Sequence, residues 1–567
     1  MTKTKVLGVC MLAMGALLLF SLPMVAADSP QAIVQHARAF GQGHVTVSYQ
    51  PEIFGMHEAN PVHHIAKPYI RPSEDSVAQR PGMGADTSEF NNNYSVLGVG
   101  VGFPNYSVPD APPDTTMAVG DTEVVQGVNV SYADFNKSTG AIIPINGQDS
   151  TLFYTPWHAL IPSTLCGEHN PGDIIVKFDR YAHRWLLMQN VFTSPYAVCV
   201  AVSQTATFSD QLWTVYEFPA VNNGFPDYPK WGVWATGGPS DGYFENWNNF
   251  GVNGSGFVGP VMCGYDRAKF LAGDPSAEQI CFQLEQIEDS LLPADAESQV
   301  TPPATEDEFF IGSVGDIDNS HLSVYSMHIN SWSPASATMT GLGNSQPIAV
   351  APYTPSCNGQ YGGDCVPQKG ITDEADSLGD RLMYRFAYWS DQAPTHATAT
   401  PPIPAPLQHW SVDFDVWNAA TSSIGVRWMD FNASLRTVPA TSLNLYQQGT
   451  YVGTTGDSQY RWMGSIARDK VGNILLGYSE SSSTQYPSIY VAGRVYTDPV
   501  GTLGPEAQAA AGSGSQPDTA DRWGDYSTML VDPSDNCSFI YTQEYYTVTA
   551  TFSWSTNISS WSFPNCH

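Results

Sequence analysis

The chain is poor in charge, and poorest in positive charge. Only 14% of its 567 residues are charged, 23 Lys and Arg against 54 Asp and Glu, which leaves a formal charge of -31. Such a field repels nucleic acid and anionic membranes, so neither is expected as a partner. Long amphipathic helical periodicity is missing; only Asp266 to Leu271 reads as a short helix. Beyond the N-terminus no stretch approaches the roughly 20 apolar residues that a membrane span needs. His-Glu-x-x-His and a phosphate loop are also absent, which removes the local signatures of zinc proteases and nucleotide-binding proteins. With 12% aromatic residues, however, the chain is no disordered acidic tail.

What is present starts with Lys3 and Lys5, an apolar run from Val6 to Leu22, and Val25-Ala26-Ala27. A basic start, an apolar middle and small residues at the break describe a secretory signal peptide over 1–27, cut after Ala27. Losing Lys3 and Lys5 takes the formal charge from -31 to about -33. The protein is therefore expected to be secreted. Cys10 leaves with the signal, and eight cysteines remain, an even number that favours disulfides in an exported chain. Their grouping suggests local pairs, Cys166 with Cys199, Cys263 with Cys281, Cys357 with Cys365 and Cys537 with Cys566, although sequence leaves the connectivity open. Their spacing fits no zinc knuckle.

Residues 28–93 form a leader or pro-segment, with five of the thirteen histidines (His36, His44, His57, His63 and His64). A surface leader is the plain reading; a histidine metal site or a pH-sensitive release switch is the sharper one. From Pro112 onward strand signals dominate, among them Glu123 to Tyr132, Trp185 to Asn190, Phe309 to Val314 and Gly425 to Asp430. They are rich in Val, Ile, Tyr, Phe and Trp and separated by Gly, Pro, Asn and Asp.

Two C-terminal stretches resemble one another. Arg461-Trp462-Met463-Gly464-Ser465 leads through an apolar run to Asp469-Lys470-Val471-Gly472-Asn473. Arg522-Trp523-Gly524-Asp525-Tyr526-Ser527 leads likewise to Asp532-Pro533-Ser534-Asp535-Asn536. Each is followed by a second apolar run, which makes a β-hairpin, and its recurrence after about 60 residues suggests a repeat architecture. Lead-in sequences near 112, 172, 225, 305, 377, 458 and 520 divide the chain into units. The expected fold is all-β, a six- or seven-bladed β-propeller over 94–567 behind the leader, with a pair of β-sandwiches as the competing architecture. Radial repetition removes the exposed edges that so many antiparallel strands would otherwise present. A monomer is expected.

Pro112-Pro113-Asp114-Thr115-Thr116-Met117-Ala118-Val119-Gly120, Ser377-Leu378-Gly379-Asp380-Arg381-Leu382-Met383-Tyr384-Arg385 and Arg522 to Ser527 resemble segments of secreted bacterial β-propeller proteins, loosely sialidase-like and mostly uncharacterised. The resemblance covers about residues 94–567 and is specific for that group rather than for a reaction. The Ser-x-Asp-x-Gly-x-x-Trp box of true sialidases is absent.

In a propeller the loops before the innermost strands meet at the channel mouth, so polar residues there converge. The lead-ins offer Asp114, Asp227, Asp380, Asp525, Arg381, Arg461, Arg522, Tyr526, Trp231, Trp462 and Trp523. Aromatic faces stack on sugars, carboxylates move protons and arginines clamp acidic groups, which is the chemistry of a carbohydrate site. Asp525 is the first candidate acid/base, with Asp114 or Asp380 as its partner. Tyr526 or Tyr384 is the nucleophile of a sialidase-type variant, and Arg381, Arg461 and Arg522 the substrate clamp. The plainer reading makes the Asp residues turn fixtures and the two Arg-Trp pairs blade packing. No cofactor is expected. Asp316 to Asn319 and Asp373 to Asp380 are the segments that could hold a structural calcium, though neither has EF-hand spacing. The leading expectation is a glycan-active hydrolase acting on an extracellular glycan or glycoconjugate. The alternatives are a non-catalytic glycan- or protein-binding propeller and a secreted peptidase with a removable leader.

Overall fold

A computed structural model describes residues 30–45, the backbone of 57–58, 75–79 and 89–567. Within the last range 105, 145–155, 287, 314–318, 341–346, 360–363, 380, 392–406, 435–438, 441, 454–456 and 518–521 are not described. The expected signal peptide, His63, His64, Asp316 to Asp318 and Asp380 lie outside the described residues.

The protein is all-β, built from antiparallel sheets that follow one another along the chain. Sheet one holds Thr115–Val119, Glu123–Val128 and Ser131–Asn136. Sheet two holds Ile175–Asp179, Arg184–Val191, Ala197–Ser203 and Leu212–Pro219. Sheet three holds Phe225–Trp234, Gly242–Gly251, Ser255–Asp266 and Glu278–Gln283. Sheet four is Leu292–Ala296, Glu308–Ser313, His321–Trp332 and Ala335–Thr340; sheet five is Leu382–Asp391, Leu407–Asn418, Ser423–Ser434 and Asn444–Tyr451. These two are continuous, because Leu292–Ala296 runs parallel to Leu382–Asp391 with Ala294 opposite Phe386. Sheet six is Tyr460–Arg468, Ile474–Ser482, Gln485–Arg494 and Glu506–Ala510. Sheet seven is Thr528–Val531, Ser538–Tyr546 and Trp554–Ser562, with Asn91–Leu97 as its fourth strand.

Neighbouring sheets are bonded through their first strands and the residues just before them. Thr116 Oγ1 donates to the Ile174 carbonyl, Asn190 Nδ2 to the Pro226 carbonyl, and the Val233 amide to Asp295 Oδ1. Ser465 Oγ donates to the Tyr384 carbonyl and accepts from the Met529 amide. The last sheet returns to the first: Thr115 Oγ1 donates to the Tyr526 carbonyl at 2.9 Å, and Gln126 Nε2 reaches Thr542 Oγ1 at 2.6 Å and Thr556 Oγ1 at 3.0 Å. Many strands are covered on both faces and buried along their whole length, as in Ala197–Ser203, whereas others such as Ala335–Thr340 and Glu506–Ala510 stay half-exposed. Cover on both faces is why the sequence shows apolar runs where a half-exposed sheet would show alternation.

The duplicated hairpins owe their turns to aspartate. Asp469 Oδ1 accepts from the amides of Val471 and Asn473, and Gly472 supplies a φ of 92°. In the other copy Asp532 Oδ1 accepts from the Ser534 amide and Asn536 takes the left-handed φ of 58°. All four suggested disulfides are formed. The fourth unit differs from expectation. Its first strand is Leu292–Ala296, upstream of the lead-in expected near 305, and Leu-Pro-Ala-Asp-Ala carries little strand signal of its own.

The described part of the segment expected as a leader is woven into the fold. Ala39–His44 pairs with Leu212–Pro219 and Ile33–His36 with Glu278–Gln283, so it supplies fifth strands to sheets two and three. Farther on, Asp75 bonds buried Arg427 at 2.7 Å, and Gln79 exchanges two hydrogen bonds with Leu503. The expected boundary between 93 and 94 falls inside Asn91–Leu97.

Candidate functional site

The lead-ins of sheets one, two, three, five and seven bring one cluster together. The Asp525 amide donates to Asp114 Oδ1 at 2.8 Å, although 411 residues separate them. Arg522 Nη2 holds Asp525 Oδ1 at 2.7 Å, and the Gly524 amide between them is taken by Glu544. Tyr526 Oη points to Asp173 Oδ2 at 3.5 Å, and the Tyr526 ring stacks with Tyr228 at 5.6 Å and 18°. Lys230 Nζ sits 3.0 Å from the Tyr228 ring centre and 3.9 Å from that of Tyr526. Arg381 lies over Tyr228 at 4.7 Å, and Tyr384 meets Tyr526 edge-on. Asp114, Asp173 and Tyr228 all take left-handed φ angles, 46°, 53° and 56°. Non-glycine residues hold that conformation at a cost of roughly 1–3 kcal/mol, and they gather where a structure fixes side chains for a purpose.

The cluster is deep: Asp114 is 1% exposed, Asp525 and Arg381 6%, Asp173 8% and Lys230 0%. Burial first, then the charges of Asp525 and Asp173, pushes the Asp114 carboxyl well above the usual carboxylate range. Burial, Asp525 and Asp227 push Asp173 up to about 7, against the pull of Lys230 and Arg522. Burial drives the Lys230 ammonium well below its ordinary value, while Asp525 and Asp173 oppose the shift. Burial would lower Arg522, but Asp525 and Asp114 raise it, so it stays charged. The site therefore sets carboxyls held toward the neutral form beside a carboxylate bonded to a fixed cation. Pairs whose environments differ in this way can divide acid and base roles.

A second ionic group lies on and just beyond the first strands of sheets two, four and five. Lys177 Nζ meets Asp295 Oδ2 at 2.5 Å, Arg385 Nε meets the same oxygen at 2.6 Å, and Arg385 Nη1 meets Glu297 Oε1 at 2.9 Å. Arg385 also donates to the Met529 carbonyl, and Glu297 accepts from the Val531 amide. Lys177 stacks on Tyr384 at 4.6 Å, which joins this group to the first. Burial would raise Asp295, but Lys177 and Arg385 hold it below the usual carboxylate range.

Of the sequence candidates, Asp114, Asp525, Tyr526, Arg381, Arg522 and Tyr384 meet, and half-buried Asp227 acts on Asp173 from the rim. Four candidates do not join them. Arg461 turns along sheet six to Asp457, Glu480 and Glu506, where three carboxylates consume its charge. Trp462 and Trp523 pack against each other at 5.5 Å between sheets six and seven, and Trp231 stacks on Tyr265 at 4.8 Å. All three indoles are buried at 1% exposure or less and offer no face to a sugar. The duplicated Arg-Trp pair is thus packing where its tryptophans are concerned. Asp173, Tyr228 and Lys230 were missed. Gly172-Asp173 precedes its first strand much as Asp114 does, and Lys230 is a lone cation in the run Tyr-Pro-Lys-Trp-Gly-Val-Trp. Among the described residues no three His, Cys, Asp or Glu side chains are placed to share a metal ion. No helix of the described residues is long and apolar enough to cross a membrane.

No protein-family model and no curated protein sequence matches the chain. Solved structures similar to it include the Hadza microbial sialidase Hz136, at 9% identity and a TM-score of 0.32 over 79% of this chain and 74% of that one. Drosophila Semaphorin 1b, extracellular domains 1-2, is similar at 8% identity and 0.30 over 84% and 88%. The Penicillium chrysogenum alpha-L-arabinanase complexed with arabinobiose is similar at 10% identity and 0.24 over 60% and 94%. At such scores the likeness carries no argument about this chain.

Proposed function

We propose that the seven sheets are the blades of an exported seven-bladed β-propeller, and that its mouth is an acid–base site hydrolysing the end of an extracellular glycan. The bonding of each sheet to the next, and of sheet seven back to sheet one, supports the ring. Four disulfides and an N-terminal signal sequence support export. The observation that carries the chemical reading is the contrast between Asp173, raised to about 7, and Asp525, bonded to Arg522.

In this reading Asp173 gives its proton to the departing glycosidic oxygen. Asp525 acts on the opposite side, as base toward water or as nucleophile toward the sugar carbon, and Arg522 fixes its orientation. Lys230 and Arg522 pull against the rise and keep Asp173 acidic enough to be useful, while Asp114 stays protonated beside them. Tyr526 serves better as a support of Asp173 than as nucleophile, because burial pushes its hydroxyl well above its ordinary range. Arg381, Tyr228 and Asp227 form the sugar-facing rim. Asp380 keeps its expected partner role only as part of this proposal.

The depth of the cluster favours a second reading, a propeller that binds a glycan or protein at its mouth without turning it over. Nothing in the cluster favours the peptidase reading, and the leader strands complete two sheets instead of standing apart from them. A panel of glycosides and polysaccharides between about pH 3.5 and 7, run with Asp173→Asn and Asp525→Asn proteins, separates the two. A hydrolase loses turnover by about 10²- to 10⁴-fold in Asp173→Asn while keeping most of its affinity. Binding without turnover anywhere in the panel makes the protein a binder.

A further inference from the structure

Outside the mouth, the fold buries carboxyl groups that no cation meets. Asp413 and Asp415 stand two apart on Leu407–Asn418, so both project from one face of sheet five toward sheet six. Both residues are 0% exposed. Among the described residues neither oxygen of Asp413 has a hydrogen-bond partner; Asp415 Oδ2 accepts from the Met463 amide at 2.9 Å, and Oδ1 has none. Gly464 is pressed so closely against the pair that a Cβ there would stand 2.0 Å from Asp413 Oδ2.

The groups around the pair add no positive charge. Trp428 and Val426 lie opposite on Ser423–Ser434, and Met463 and Gly464 face it from sheet six. Asp376 acts on Asp415 from Ala375–Asp376, and Tyr541 of sheet seven feels both carboxyls. Among the described residues no Lys, Arg or His forms an ion pair with either aspartate. The pair has counterparts elsewhere. Asp134 is buried beside another acid, Glu123, and Glu308 is fully buried; among the described residues neither forms an ion pair with a Lys, Arg or His.

We infer that Asp413 and Asp415 form a proton-operated lock between sheets five and six, which makes the fold one built for acid surroundings that loosens as the medium turns neutral. An uncompensated carboxylate is far too costly to bury, so the group keeps its proton instead. Burial accordingly pushes both aspartates well above their ordinary range. The sign follows from linkage. Below about pH 4 these groups are protonated in the folded and the unfolded chain alike, and nothing is lost. As pH rises past about 4 the unfolded chain releases their protons while the folded chain retains them. Each such group then shifts the equilibrium toward unfolding by about tenfold per pH unit, until the folded value is reached. Asp295 and Asp430 work in the opposite sense, since both are held below the ordinary range and must stay ionised. They set the acid limit, and the lock sets the neutral one.

The test is thermal unfolding of the full chain between about pH 4 and pH 8, with calcium or with EDTA, for the native protein and for Asp413→Asn/Asp415→Asn. The native midpoint is expected to fall by on the order of 10 °C across that range, independently of calcium. The double variant is expected to lose part of that slope and to outlast the native protein at the upper end. A native midpoint that is flat or rises with pH overturns the inference. So does a native protein that calcium stabilises and EDTA weakens in a way the variant does not share, since the pair would then hold a metal ion. Should the double variant not fold, the protonated-carboxyl infrared band of the native protein decides. It should persist near pH 6 and diminish in Asp413→Asn, and its absence from the native protein rejects the lock. Failure read from the Asp413→Asn/Asp415→Asn comparison leaves the mouth reading untouched, because the two sites share none of these residues, whereas a flat native midpoint would also count against the raised Asp173.

Discussion

The two ionic groups along the first strands use the same residue types for different ends. In the second group two cations meet two carboxylates, and Asp295 touches both Lys177 and Arg385. In the first cluster Asp525 has Arg522, but among the described residues no cation is bonded to Asp173 or Asp114, and Lys230 faces aromatic rings and the Pro229 carbonyl in place of a carboxylate. The consequence shows in the protons: Asp295 is held low, Asp173 is lifted to about 7 and Asp114 is lifted as well. Burial is nearly the same in both places. Direct bonding to a cation, not depth, separates a structural carboxylate from one that can exchange a proton near neutrality.

The second group should break most expensively. Arg385→Met leaves Asp295 and Glu297 buried with one cation fewer and is expected to cost about 3–5 kcal/mol in denaturant unfolding. If the loss is below about 1 kcal/mol, the charges of the second group are not the compensated network described here. Removing the Cys537–Cys566 bridge, which ties the hairpin turn of sheet seven to the C-terminus, should cost less. About 2 kcal/mol is expected, since the range for small domains is 2–5 and this core is large. Non-reducing peptide mapping should find these two cysteines linked, and free thiols there would remove the basis of that figure.

The mouth should respond with the opposite sign. Asp173→Asn replaces a group that is already neutral in acid. Near pH 4 stability should be unchanged, whereas near pH 7 the variant should gain about 1–3 kcal/mol over the native protein. The sign rests on the raised value of about 7: native stability from this group is lost as pH climbs from about 4 through 7, and the amide has nothing to ionise. A destabilised Asp173→Asn protein at both pH values would make Asp173 a turn fixture. The smallest effect belongs to Asp227→Asn. Removing that charge should move Asp173, and any activity limb that follows it, down by less than about one pH unit.

The sequence carried the strands and their turns well, because the duplicated Asp-turn-Asn hairpins and the Gly, Pro and Asn punctuation are local chemistry. Cysteine grouping along the chain also sufficed, since each bridge joins residues no more than 33 apart. The fourth unit was misplaced because Leu292–Ala296 gains its strand character from pairing with Leu382–Asp391, a tertiary partner that propensity cannot see. At the mouth, convergence of Asp114, Arg381, Arg522, Asp525 and Tyr526 followed from their common place before first strands. Trp523 shares that place, while Trp231, Arg461 and Trp462 lie inside first strands; the tryptophans pack inward and Arg461 turns along sheet six, because side-chain direction depends on the bulge at Trp462 to Ser465 and on acidic neighbours in other strands. Lys230 was overlooked for a related reason. A lysine within an apolar run reads as an edge residue until aromatic rings from two sheets are seen to enclose it.

The most direct test of the difference between the two groups is a carboxyl-carbon NMR titration of protein labelled at aspartate. The signals of Asp173 and Asp295 would be identified by their loss in Asp173→Asn and Asp295→Asn. Asp173 should titrate at about 7, and Asp295 should remain ionised down to below about pH 4. If both titrate together in the ordinary carboxylate range, the mouth is no more than a second structural cluster and the acid–base site does not exist.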